Sequence, residues 1–203
     1  MRIYLIKPYF QKLLIPVKNI LIRFGFGPTS LTVFGVIAAI GMGGSVYFSQ
    51  SSQWALWLIP LFAFLRISAN ALDGMIARDL GHSSLFGEAM NEFLDRISDV
   101  VVFGSFLLFS TINTTLVTLV LVSMLLSSYL GVLSKAITGV RLYKGLMCKA
   151  DRMFYLSVGA LVIYFFHTTS TFISWETVLF IIFLGLVYTV IERSILIYKM
   201  TNK

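Results

Sequence analysis

The sequence predicts an all-α integral membrane protein with about six transmembrane helices, preceded by an interfacial amphipathic helix. Three observations carry this reading. The 203 residues are 58% hydrophobic and only 12% charged, more apolar surface than a soluble core of that size can use. Uncharged runs near the 20 or so residues that span a bilayer recur at 31–50, 100–134 and 153–175. The basic residues are segregated along the chain, at alternate helix ends.

The N-terminal segment, residues 2–24, is not a secretory signal. Its apolar positions are interrupted by Lys7, Lys12, Lys18 and Arg23, and no small-residue cleavage site follows. On a helical wheel Lys7, Gln11, Lys12, Lys18, Asn19 and Arg23 form a polar stripe opposite Leu5, Phe10, Leu13, Leu14, Leu21 and Phe24. That pattern suits a helix lying in the interface, bent at Pro8 or Pro16 and anchored to anionic headgroups. The domain division expected is 1–26 for this helix and 27–203 for the transmembrane domain.

Six spans are expected at 31–50, 54–78, 89–111, 115–138, 153–171 and 175–197. The breaks at 49–53, 111–114 and 168–174 are short, polar and free of Lys and Arg, whereas Arg78, Lys135, Arg141, Lys144, Lys149, Arg152, Lys199 and Lys203 fall on the other side. Both termini are therefore expected in the cytoplasm. The net charge of +7 flanks membrane spans and forms no soluble patch, so no nucleic-acid partner is expected. Cys148, the single cysteine, excludes an internal disulfide. His82 and His167 read as ordinary loop residues, since neither has a second His or Cys at ligand spacing.

Ionisable groups within spans are expensive, and their default meaning is functional. Between residues 66 and 99 the chain places Arg66, Asn70, Asp73, Arg78, Asp79, Glu88, Asn91, Glu92, Asp95, Arg96 and Asp99. At 100° per residue, Arg66, Asn70, Asp73 and Ala77 share one face of the second span, with Gly74 beside Asp73. Asn91, Asp95 and Asp99 share one face of the third. The short link between the two predicts antiparallel neighbours whose oxygen-bearing faces confront each other near the interface. Carboxylate and amide oxygens without His or Cys point to a hard cation, Mg²⁺, Mn²⁺ or Ca²⁺. Small Gly74, Ala77 and Gly87 admit something bulky, and Arg78 is placed to hold an anion; metal, arginine and cleft together suit phosphoryl transfer. A purely structural reading, in which these groups pair only to lock the helices, is opposed by the excess of acids over bases.

The run Asn70-Ala-Leu-Asp73-Gly74-Met-Ile-Ala77-Arg78, eight residues, then Gly87-Glu-Ala-Met-Asn91-Glu-Phe-Leu-Asp95 resembles the signature of the CDP-alcohol phosphatidyltransferase superfamily. That signature reads Asp-x-x-Asp-Gly-x-x-Ala-Arg, eight residues, Gly-x-x-x-Asp-x-x-x-Asp, and every spacing is intact. Weaker echoes are Gly27-Pro28-Thr29-Ser30-Leu31-Thr32 before the first span and Lys149-Ala-Asp151-Arg152 before the fifth.

The resemblance implies six helices around a polar cavity open to the cytoplasm, usually as a homodimer. It implies an enzyme that transfers the phosphatidyl group of CDP-diacylglycerol to an acceptor alcohol, with release of CMP and dependence on Mg²⁺ or Mn²⁺. Asp73 and Asp95 become metal ligands, with Asn70 and Asn91 completing the set, and Asp95 is also the candidate general base. Gly74 and Ala77 line the cytidine pocket, Arg78 steadies the diphosphate, and Gly87 permits close approach of the third helix. Asn70 and Asn91 stand where the signature has its first and third aspartates, as in a small bacterial inner-membrane subgroup, so a site that usually neutralises two divalent ions looks matched to one. The alternative is a catalytically weak relative that binds CDP-lipid or anionic lipid as a sensor or partner subunit.

Arg141, Lys144, Lys149 and Arg152 gather in the link between the fourth and fifth spans and favour a phosphorylated acceptor such as glycerol 3-phosphate. Arg66 and Asp99, absent from the signature, lie about 6 to 12 Å inward from Asn70 and Asn91 on their own helices. A charge at that depth needs a partner, and each is the other's nearest relief, so an ion pair flooring the cavity is expected.

Overall fold

The structure is a computed structural model that describes residues 7–81, 84–166 and 174–202. Every regular element among these residues is helical: α1 (Lys7–Arg23), α2 (Pro28–Phe48), α3 (Ala55–Asp79), α4 (Leu85–Gly104) with a following 3-10 turn (Ser105–Leu108), α5 (Thr114–Thr138), α6 (Lys149–Phe166) and α7 (Trp175–Thr201). His82 and His167 lie outside the described residues, as does nearly all of the 168–174 break.

Local chemistry explains the helix ends. Pro28 opens α2, where its missing N–H costs nothing. Asn113 caps α5 by accepting from Thr115 N at 2.9 Å, and Gly139 closes it in the left-handed region at φ 71°. Two boundaries differ from the sequence expectation. The third predicted span, 89–111, starts earlier because Ser84 Oγ accepts from Gly87 N at 3.0 Å, and its α-geometry ends at Gly104. The fifth begins at Lys149 rather than 153, because Asp151 in its first turn reaches back to the Cys148 N–H at 3.1 Å.

Six spans were expected; α2, α3, α5 and α7 are long and apolar enough to cross a membrane. The charges at Glu88, Glu92, Asp95, Arg96 and Asp99 in α4, and at Lys149, Asp151 and Arg152 in the shorter α6, set those two apart.

The chain divides into two compact units, residues 3–105 and 106–203. In the first, α2 packs against both α3 and α4, and α1 against α3. Ala38, Ala39, Met42 and Val46 of α2 are buried with Ile59, Ala63 and Ile76 of α3 and Val102 and Phe103 of α4. Gly43 makes the α2–α4 crossing possible: a Cβ there would stand 3.0 Å from Val101 O. Leu14 of α1 joins Leu31, Leu72 and Ile76 in a buried cluster. The polar stripe expected on α1 is divided as a result. Lys18 turns inward to pair with Asp79 at the end of α3, while Tyr9, Leu13, Ile20 and Phe24 form an exposed apolar stripe. α1 remains one helix through Pro16.

In the second unit α7 packs against α5 and α6. Leu179, Ile182 and Leu186 are fully buried there, as are Val117, Val120 and Met124 of α5 and Leu156 and Ala160 of α6.

Candidate active site

The short link between α3 and α4 predicted antiparallel neighbours with polar faces toward each other; α2 packs against both helices, and α3 and α4 meet through long polar side chains. Asn70 Nδ2 donates to Asp95 Oδ1 at 3.4 Å. One turn further in, Arg66 Nη2 donates to Asp99 Oδ1 at 2.7 Å and to the Asp95 carbonyl at 3.3 Å. Arg66 and Asp99 are 1% and 0% exposed, so the pair lies in the interior between the helices. Arg96 Nη2 stands 4.0 Å from both Asp95 Oδ2 and Asp99 Oδ2.

Asp73, 5% exposed, faces α2, where Thr32 Oγ1 lies 3.3 Å from Asp73 Oδ2 and 3.2 Å from Pro28 O. Thr32 is a site residue that sequence reasoning left among the echoes of a motif; its threonine four residues after the helix-opening proline was the available signal. Gly35, one turn along α2, lets that helix pass close to the site, for a Cβ there would lie 3.2 Å from Asn70 Oδ1. Ala77 and Gly74 stand at the partly open end of α3, and a Cβ on Gly74 would meet Arg78 Nη1 at 3.6 Å. Arg78 is exposed beside them, and Gly87 is exposed in the first turn of α4.

The oxygen set fits a hard cation. Among the described residues no three His, Cys, Asp or Glu side chains group closely enough to hold an ion alone, so amide oxygens would have to contribute. Asn91 Oδ1 meets that need: it is buried without a hydrogen-bond partner on the face that also carries Asp95. An orphaned buried acceptor beside carboxylates is what a cation ligand looks like before the ion is added.

In the second unit the four basic residues expected to bind an acceptor differ in setting. The Arg141 guanidinium lies 4.9 Å from the centroid of the Tyr143 ring. Lys144 is exposed and Lys149 begins α6. Arg152 is only 1% exposed and donates from Nη1 to Met147 O at 3.3 Å. Sequence reasoning missed Arg193 of α7, which ties this link together: Nε donates to Lys144 O at 2.8 Å, Nη1 to Ser127 O, and Nη2 to Cys148 Sγ at 3.6 Å. Thr189, one turn earlier, accepts from Met147 N at 2.9 Å. Burial pushes the Cys148 thiol above its ordinary pKa, with the positive charge of Arg193 opposing the shift.

The match to CDP-alcohol phosphatidyltransferase spans residues 26–191. The chain is 34% identical to the inner membrane protein YnbA of Escherichia coli over 152 residues, 75% of each chain. It is 29% identical to a phosphatidylinositol phosphate synthase of Mycobacteroides abscessus over 161 residues, covering 75% of this chain and 70% of the relative. Among solved structures it is similar to the Mycobacterium tuberculosis phosphatidylinositol phosphate synthase with CDP-DAG bound, at a TM-score of 0.71 and 22% identity, covering 90% and 92% of the two chains. The same enzyme in complex with manganese and citrate aligns at a TM-score of 0.71 and 23% identity, covering 90% and 88%. With that fold, and with the signature residues in register on α3 and α4, the chain belongs to the CDP-alcohol phosphatidyltransferase family and is a membrane-embedded transferase of phospholipid biosynthesis.

Proposed function

We propose that this enzyme transfers the phosphatidyl group of CDP-diacylglycerol to the hydroxyl of a small phosphorylated alcohol, with release of CMP. The observation that carries the reading is the approach of Asn70 and Asp95, at 3.4 Å, across the gap between α3 and α4. It brings both halves of the signature to one place.

In this reading the acceptor oxygen attacks the phosphatidyl phosphorus, Asp95 takes the hydroxyl proton, and the phosphorus–oxygen bond to CMP breaks with its electrons leaving on CMP. Arg66, donating to the Asp95 carbonyl at 3.3 Å, fixes the backbone that carries the base. Arg78 steadies the diphosphate, Gly74 and Ala77 leave room for the cytidine, and Gly87 lets the head of α4 approach. Mg²⁺ or Mn²⁺, with Asp73, Asp95 and Asn91 to hold it and Asn70 at the same site, would neutralise charge on the diphosphate.

Arg141, Lys144, Lys149 and Arg152 are assigned to the acceptor phosphate. The relatives named for phosphatidylinositol phosphate support an acceptor that carries one. The topology that suits this chemistry has residues 1–26 at the interface, six spans in 27–203, both termini in the cytoplasm, and a homodimer in the bacterial inner membrane. The Asn-containing signature is similar to that of a small bacterial inner-membrane subgroup whose acceptors are unassigned. Incubating purified protein with CDP-diacylglycerol and a panel of acceptors, with and without Mg²⁺ and Mn²⁺, tests the proposal. CMP release that needs both a phosphorylated acceptor and a metal is expected; no CMP with any acceptor refutes it.

A further inference from the structure

We infer that the α3–α4 site is a one-cation centre in which Asn91 is a ligand through Oδ1 and Asn70 is a tether that hydrogen-bonds the ligand Asp95. The inference rests on the metal-dependent reading above and goes beyond it in number and in role.

The two asparagines, alike in sequence, are unlike in the structure. Asn70 has its amide nitrogen toward Asp95 Oδ1, 3.4 Å away, and its oxygen toward α2, 3.2 Å from where a Cβ on Gly35 would stand. The amide N–H is used on Asp95, and the amide oxygen is turned to Gly35 rather than to the carboxylate that would hold the ion. Asn91 is the reverse: its Oδ1 is buried and has no donor. One amide is already used in orienting a ligand, and the other has an acceptor still to satisfy.

Charge leads to the same number. Asp73, Asp95 and Asp99 with Arg66 and Arg96 together sum to one net negative charge. One divalent cation brings it to one net positive, which a diphosphate can meet. A second would add two more positive charges close to Arg66 and Arg96, with no further carboxylate among the signature positions to offset them. With aspartate at 70 and 91, two ions would reach the same final charge that one ion reaches here.

The test is Mn²⁺ binding to the purified full-length protein, followed by the electron paramagnetic resonance of free Mn²⁺ without turnover. About one Mn²⁺ per chain is expected for the unaltered protein, and about two for Asn70→Asp/Asn91→Asp, on the charge argument. Asn91→Ala is expected to weaken Mn²⁺ binding more than Asn70→Ala, with thermal unfolding in detergent confirming that both variants fold. Two ions in the unaltered protein, one in the double aspartate variant, or the reverse order of the two alanine variants would each overturn the inference. No Mn²⁺ bound to any variant overturns the metal-dependent reading beneath it.

Discussion

Removing one member of the Arg66–Asp99 pair separates a structural role from an incidental one. The two side chains are 1% and 0% exposed and joined at 2.7 Å, so Arg66→Met leaves a buried carboxylate, and Asp99→Leu a buried guanidinium, without its charge partner. Breaking a buried pair from one side typically costs about 3 to 5 kcal/mol, whereas replacing both members with apolar groups of similar volume is often neutral. Each single variant is therefore expected to lose about 3 to 5 kcal/mol. The double variant should recover much of that loss and cost no more than either single change, which requires a coupling of at least about 3 kcal/mol. The magnitude falls toward the lower limit for Arg66→Met, because Arg96 stands 4.0 Å from Asp99 Oδ2 and retains an attraction to it. Equilibrium unfolding of the four proteins in mixed micelles reads the cycle. Strictly additive losses would show that the two charges are stabilised independently, and the argument from depth and burial would fail.

Asp95→Asn should abolish turnover, with a loss of about 10² to 10⁴ in kcat or more, while CDP-lipid binding measured by equilibrium dialysis survives. Thr32→Val removes the hydroxyl 3.3 Å from Asp73 Oδ2, and an activity loss of about five- to tenfold is expected from one hydrogen bond worth about 1 kcal/mol. Lys149→Ala should raise the KM for a phosphorylated acceptor more than the KM for CDP-diacylglycerol, and equal effects in steady-state kinetics would remove Lys149 from the acceptor site. Arg152→Ala should raise the same KM and in addition lower thermal stability, because the side chain is buried and bonded to Met147 O. Burial disfavours the Cys148 thiolate, so its alkylation should be slow at neutral pH and rise only at a more alkaline pH than that of an exposed thiol; a maleimide rate profile against pH checks the sign.

What the sequence determined by itself was everything that repeats along one helix or depends on nearest neighbours. Hydropathy located the apolar helices α2, α3, α5 and α7 in order, and 100° per residue aligned Asn70 with Asp73 and Asn91 with Asp95. Even the Arg66–Asp99 juxtaposition was legible, because depth in the bilayer follows from rise per residue and leaves a buried charge few alternatives. The early start of α6 was local too, since Asp151 caps a position only three residues away. Tertiary structure decided what depends on partners distant in the chain. Thr32 reaches Asp73 across 41 positions and Arg193 reaches Lys144 across 49, and no periodicity encodes such separations. Lys18 looked like one more basic residue on a polar stripe until the docking of Leu14 beside Leu72 and Ile76 rolled it toward Asp79. The gap between α3 and α4 is the largest such decision. A short link permits the two helices to touch, but α2 packs against both, and Arg66 and Asn70 of α3 reach Asp99 and Asp95 of α4 across the space between them.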